Sequence, residues 1–196
     1  MNNKKMNNVI FLDIDGVLNC ENAFKNGFCK YNHWGSHENH GYHMAFYPKS
    51  KNLLNKLIDE TNSKIVISST WRAMGLDWIK KVWCIENMNG EIIGLTPHIT
   101  FSSGELAPRG CEIDFYLQSI GFRNINWSSE VQLAYMKHSN LNNYIIIDDD
   151  SDMLYNQKEH FVHVKPSPKN KDGFNIEHYN KAINILNENI LEIENE

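Results

Sequence analysis

The residues able to do chemistry in this chain are carboxylates at the ends of apolar runs. Residues 9–12 read Val-Ile-Phe-Leu and lead into Asp13, Ile14, Asp15 and Gly16. Residues 144–147 read Tyr-Ile-Ile-Ile and lead into Asp148, Asp149 and Asp150, with Asp152 just beyond. A short apolar run bounded by polar residues is the pattern of a buried strand. Side chains alternate along a strand, but the chain leaves the strand at Asp13, so Asp13 and Asp15 can share its carboxyl tip. Carboxylates held that close repel one another, and a hard divalent cation is the natural partner that neutralises them. Gly16 permits a sharp turn directly after the pair. Asp-Gly is also a common turn dipeptide in its own right; it is the second acidic cluster that favours the chemical reading. A third run, Lys64-Ile-Val-Ile, ends in Ser68, Ser69 and Thr70, then Trp71 and Arg72. Hydroxyls and early-helix N–H groups bind anions, and a guanidinium fork matches phosphate oxygens. The same hydroxyls would serve equally as helix caps, and the two roles are compatible. The chemistry these residues suggest is an anion handled beside a divalent cation.

Three strands that end in functional residues, with helical patterns between them, predict an α/β domain with a parallel sheet and its ligands at one edge. Strands are expected at 8–13, 64–68, 143–147 and 160–164. Helices are expected from Pro48 to Asn62, with Leu53, Leu54, Leu57 and Ile58 on one face, and at 72–86, 110–120 and 175–190. Pro48 suits the first helical position. Trp78, Ile79, Val82 and Trp83 form an apolar stripe that reads as core. Residues 88–108 read as a loop or hairpin insert near the site entrance, and residues 20–47 as a flap or small cap. Within the latter, Cys29, His33, His37, His40 and His43 fit no closed zinc pattern. A solvated loop or a flap over the site is the preferred reading there, with a metal site the weaker alternative.

Length and composition fit one domain spanning 1–196. Hydrophobic content of 41% and charged content of 22% are ordinary for a globular chain. A net charge of −5 supplies no broad basic field for nucleic acid, although a local patch at one end of a strand is compatible with it. The cysteines at 20, 29, 84 and 111 form no Cys-x-x-Cys pair. The opening residues are polar, without the apolar core of a signal peptide, and no run reaches the length of a membrane span. The expectation is a cytoplasmic protein with free thiols and no membrane association.

The motifs resemble those of the haloacid dehalogenase (HAD) superfamily. Asp13-Ile14-Asp15-Gly16-Val17-Leu18-Asn19 is similar to its first motif, Ser68 to its second, and Asp148-Asp149 with Asp152 to its fourth. Ser68-Ser69-Thr70-Trp71-Arg72, Arg109-Gly110-Cys111-Glu112-Ile113 and Val162-His163-Val164-Lys165-Pro166 narrow the likeness to the small HAD domains of phage and bacterial proteins and of multi-domain RNA-repair proteins. The resemblance implies a Rossmann-like parallel sheet flanked by helices, with a small cap or flap after the first strand. It implies Asp13 as nucleophile and Asp15 as general acid and base. It also implies Mg²⁺ at Asp13, the main-chain carbonyl of Asp15, and Asp148, with Asp149 beside them and Asp152 supporting. Ser68, Ser69, Arg72 and Arg109 are the implied phosphate-binding residues. The superfamily's third motif is a basic residue at a helix start, for which Arg109 is preferred and Arg72 is the alternative. The implied partner is a phosphorylated molecule; the resemblance points towards a nucleotide or a nucleic-acid end, against which Trp34, Tyr42 or Trp71 would stack if they are not core, and sugar phosphates and phosphoproteins stay open. A phosphotransferase and a non-catalytic binding module are the other readings. Asp15 argues against dehalogenation, which has little use for a leaving-group acid.

Overall fold

The computed structural model describes residues 7–28, 45–120 and 141–193. The histidine-rich segment, and with it Trp34, Tyr42 and most of the expected flap, lies outside the described residues. The sheet is five-stranded and parallel throughout: β1 (Asn7–Leu12), β2 (Lys64–Ile67), β3 (Ile92–Leu95), β4 (Leu141–Asp148) and β5 (Phe161–His163), in the order β3-β2-β1-β4-β5. The helices are α1 (Glu21–Lys25), α2 (Pro48–Thr61), α3 (Leu76–Ile85), α4 (Arg109–Ser119) and α5 (Ile176–Ile193). The α/β class and the Rossmann-like arrangement expected from the sequence are those of the structure.

A two-residue alternation along the strands assigns the helices to faces. Ile10, Leu12, Ile65, Ile67, Ile145 and Ile147 pack with Leu54, Leu57 and Ile58 of α2, Ile79 and Val82 of α3, and Ala182 and Leu186 of α5. Val9, Phe11, Val66, Tyr144 and Ile146 face the other way, onto Ile113 and Leu117 of α4. β1 is central and covered on both faces, which is why its sequence is apolar without interruption.

The stretch 88–108 corrects the expectation of an insert. Ile92–Leu95 is a strand of the main sheet, paired with β2 from Ile65↔Ile92 to Ile67↔Leu95. It is an edge strand with Ile93 41% exposed, so it lacks the continuous apolar run that marks its neighbours. Hairpin character is confined to residues 100–106, where Thr100 and Leu106 form an antiparallel bridge. The helix expected at 72–86 is two elements. Thr70–Met74 is a 3₁₀ turn, and Gly75 (φ 84°) breaks the chain before α3 begins. No helix among the described residues is long and apolar enough to cross a membrane.

Candidate active site

Sheet register sets the site. Leu12 pairs with Ile67 on one side and with Ile147 on the other, so the residues that follow share one row at the carboxyl edge. The row is stitched by the backbone: Asp13 N–H donates to the Ile147 carbonyl (2.9 Å), Ser68 N–H to Leu12 (2.9 Å), and Thr96 N–H to Ile67 (3.0 Å). After β1 the chain first builds β2 and β3 to one side, then β4 and β5 to the other. The reversal falls between β1 and β4, where open α/β sheets leave a ligand crevice. Asp13 and Asp148 flank it.

Asp13, Asp148 and Asp149 converge there, each offering a carboxylate oxygen within 4.8 Å of the others. Asp13 is 6% exposed and Asp148 1%. Burial, reinforced by the charge of Asp148, pushes the Asp13 carboxyl well above the usual carboxylate range, against the pull of Arg109 and a hydrogen bond from Ser69. Burial also pushes Asp148 up to about 7, with Arg109 opposing, and raises Asp149. The Asp148 Oδ1 atom accepts from the Asp150 N–H (2.9 Å), but its Oδ2, fully buried, has no hydrogen-bond partner. A buried carboxylate oxygen left without a donor is costly unless something charged meets it. Gly16 makes room for the cluster. Its φ is 77°, and a Cβ there would sit 2.0 Å from the Asp149 carboxylate. The peptide behind is held by His163, whose Nε2 is 3.1 Å from the Asp149 carbonyl oxygen. An all-oxygen donor set with an orphaned buried oxygen fits Mg²⁺.

Arg109 is the cation that meets this cluster. It opens α4, and its Nη1 lies 3.6 Å from Asp13 Oδ1 and 3.9 Å from Asp148 Oδ2, while also donating to the Ser68 carbonyl. Asp152 places it. Its Oδ2 accepts the Arg109 N–H (2.7 Å) and its carbonyl accepts the Gly110 N–H (3.2 Å), capping a helix whose own N-cap, Pro108, offers no side-chain acceptor. Asp152 is therefore turned to α4 and not to the carboxylate trio.

Arg72 is placed differently. Its Nη2 donates to Glu112 Oε2 (2.7 Å) and its Nη1 to Thr96 Oγ1 (3.3 Å), and Glu112 Oε1 accepts the Ile99 N–H (3.0 Å). Glu112 is buried at 2% exposure, and the Arg72 side chain is partly buried at 10%. A cavity of about 730 Å³ opens beside it, walled by Thr70, Arg72, Leu95, Thr96, Pro108 and Arg109 among others. Ser68 and Ser69 are fully buried. Ser68 Oγ lies 3.5 Å from Thr96 Oγ1, and Ser69 caps the 3₁₀ turn by accepting from the Trp71 N–H. Asp15 stands on the exposed rim, outside the trio, with one oxygen accepting from Asn19 Nδ2 (3.1 Å) and the other from Trp71 Nε1 (2.9 Å). Sequence reasoning missed Glu112, Thr96 and the part played by the Trp71 indole. The spelling Trp71-Arg72 was the available signal, but their partners are distant in the chain.

The cluster makes the metal-free protein pH-sensitive. The Asp148 carboxyl titrates at about 7 when folded, against an ordinary 3.8. The folded state thus holds the proton over a range where the unfolded chain has lost it, and stability falls as pH rises through that window. For one such group the loss is on the order of 4 kcal/mol across the whole window. In EDTA, the melting temperature of Asp148→Asn minus that of the unmodified protein should grow between pH 5 and 7.5. Added Mg²⁺ should raise the unmodified protein but not the variant. A difference that stays flat with pH would contradict the burial argument.

Comparison with known proteins agrees with the geometry. A family model described as the HAD domain in Swiss Army Knife RNA repair proteins matches residues 9–169, from β1 to beyond β5. No curated protein and no solved structure matches the chain. The match takes in each acidic strand end, the 3₁₀ turn and the start of α4, and it points to phosphohydrolase chemistry at the level of the superfamily. With most of its length covered by that match, and with the parallel sheet and acidic cluster such a domain requires, the chain belongs to the HAD domain family found in Swiss Army Knife RNA repair proteins.

Proposed function

We propose that this protein is a Mg²⁺-dependent phosphomonoesterase that works through an aspartyl phosphate. The observation that carries this reading is the convergence of Asp13, Asp148 and Asp149 opposite the guanidinium of Arg109. Asp13, Asp148 and Asp149, with the main-chain carbonyl of Asp15, would hold the ion, which supplies positive charge to the transferring phosphoryl group.

The chain's own residues then divide the work. An Asp13 carboxylate oxygen attacks phosphorus, the bond from phosphorus to the ester oxygen breaks, and Asp15 gives that oxygen a proton. Water next attacks the aspartyl phosphate, Asp15 takes a proton from it, and Asp13 and inorganic phosphate are released. Asp13 and Asp15 can play opposite roles because their surroundings differ. Burial opposes ionisation of Asp13, so Arg109 and the bound ion would hold it as the carboxylate, whereas Asp15 is exposed at the rim, where a leaving group can reach it. Arg109 offers its fork to the equatorial oxygens as charge shifts onto them. Ser69 orients Asp13 through its hydrogen bond. Arg72, committed to Glu112 and Thr96, serves α4 in place of the phosphate clamp expected from sequence.

The substrates we propose are phosphorylated nucleotides and nucleic-acid ends, in keeping with the RNA-repair setting of the family. The test is a panel of phosphomonoesters that includes 3′- and 5′-phosphorylated oligonucleotides, mononucleotides, sugar phosphates and phosphopeptides. Phosphate release is expected from the nucleotide members in Mg²⁺, none after exhaustive EDTA treatment, and recovery when Mg²⁺ is returned. Turnover that survives metal removal would reject the metal role of Asp148, and silence across the panel would reject the enzyme.

A further inference from the structure

Trp71 is used by the fold in a way that packing alone does not explain. Its ring is 2% exposed and sits in the core, with Phe46 6.1 Å and Trp78 5.5 Å away between ring centroids. A buried indole needs an acceptor for its one N–H. Backbone carbonyls usually supply it, as Asn89 does for Trp83 (2.9 Å). Trp71 instead reaches the carboxylate of Asp15, an exposed residue that water could satisfy unaided. The second Asp15 oxygen is met by Asn19, which is itself buried and tied back into the turn: Asn19 N–H donates to the Ile14 carbonyl and the Asn19 carbonyl accepts from Gly16 N–H, both at 3.0 Å. An exposed aspartate ordinarily samples several rotamers. Here two rigid, neutral donors hold both oxygens at once, one from the β2 side of the site and one from the turn after β1.

We infer that Trp71 is a positioning residue for Asp15, its indole N–H fixing the rotamer from which that carboxyl reaches the leaving-group oxygen. The inference rests on the reading of Asp15 as general acid. The Trp71 indole N–H goes to Asp15 and not to the carboxylate trio. Its effect should therefore appear only where a proton must be delivered, and orientation errors of a fraction of an ångström are costly in such transfers.

The experiment measures release of the alcohol or phenol in a single turnover, which reports the first chemical step alone. Two substrates are compared, an alkyl phosphate whose leaving oxygen must be protonated and a nitrophenyl phosphate whose leaving group departs as a stable anion. In Trp71→Phe the alkyl-to-aryl rate ratio should fall roughly 30-fold, a part of the 10²–10⁴ that general acid catalysis supplies. In an Asp15→Asn background the same substitution should leave the ratio where Asp15→Asn alone put it. A loss equal on both substrates, or a fall in the ratio that persists without Asp15, overturns the inference. If Asp15→Asn itself leaves the ratio unchanged, it is the general-acid reading that fails. Should Trp71→Phe not fold, replacing Trp71 by its benzothienyl isostere removes the N–H alone and gives the same test.

Discussion

Asp13→Asn is expected to lower turnover by about 10⁴-fold or more without unfolding the protein. An amide oxygen is too poor a nucleophile to form the intermediate, and no neighbour can replace it. Ser69 is fully buried and already hydrogen-bonded to Asp13. Asp15 stands at the rim outside the trio, with both oxygens engaged by Trp71 and Asn19. Asp148 is seated below the rim with one oxygen fixed by the Asp150 N–H. The substitution is nearly isosteric and removes one of two mutually repelling buried carboxylates. The metal-free variant should therefore melt at or above the temperature of the unmodified protein, so lost activity cannot be assigned to lost fold. Turnover with a nitrophenyl phosphate, melting curves in EDTA, and acid-labile phosphate on the denatured protein after a quench together check this. Retention of more than about a tenth of the rate would remove Asp13 as nucleophile, since a nucleophile's loss is never so mild.

What could be read from the sequence was whatever burial on both faces imprints on a parallel strand. β1, β2 and β4 announce themselves because Val9–Leu12, Ile65–Ile67 and Tyr144–Ile147 are covered above and below. Their tips are legible because carboxylates and buried serines interrupt those runs abruptly. β3 is an edge strand whose Ile93 faces solvent and whose Gly94 accommodates Tyr116, since a Cβ there would lie 2.4 Å from the phenol oxygen. Such a strand carries little apolar signature of its own. The break at Gly75 was hidden by the apolar stripe of α3, which continues the pattern of the preceding turn. The roles of the two arginines were the least legible part. Arg72 and Arg109 both follow functional-looking residues, and their choice of partner depends on α4 docking against the carboxyl edge. Arg72 meets Glu112, 40 residues away, and Arg109 is capped by Asp152, 43 residues away. No local pattern encodes either pairing. Asp152 shows the same limit, since its place in an acidic run suggested metal support while its carboxylate caps a helix.

The buried pair Arg72–Glu112 gives the largest effect expected on stability. Arg72→Met leaves the Glu112 carboxylate 2% exposed, with only the Ile99 N–H for company among the described residues. Breaking a buried ion pair from one side costs about 3–5 kcal/mol, because the remaining charge is stranded. In a chain of this size that is a drop on the order of 10 °C in melting temperature. Replacing both partners, as Arg72→Met with Glu112→Leu, strands no charge, leaves the Ile99 N–H without its acceptor, and should recover most of that loss. Activity should follow. Arg109 and Glu112 sit on the same turn of α4, and Glu112 is the strut through which the 3₁₀ turn and Ile99, just before the hairpin, hold that turn. When it slips, Arg109 leaves its place between Asp13 and Asp148 and kcat falls; when the apolar pair refills the space, Arg109 returns and kcat recovers. A phosphate-contacting Arg72 predicts the reverse. The double variant would then be as inactive as the single one however well it folds, so kcat/KM beside denaturant melts of the two variants separates a strut from a ligand.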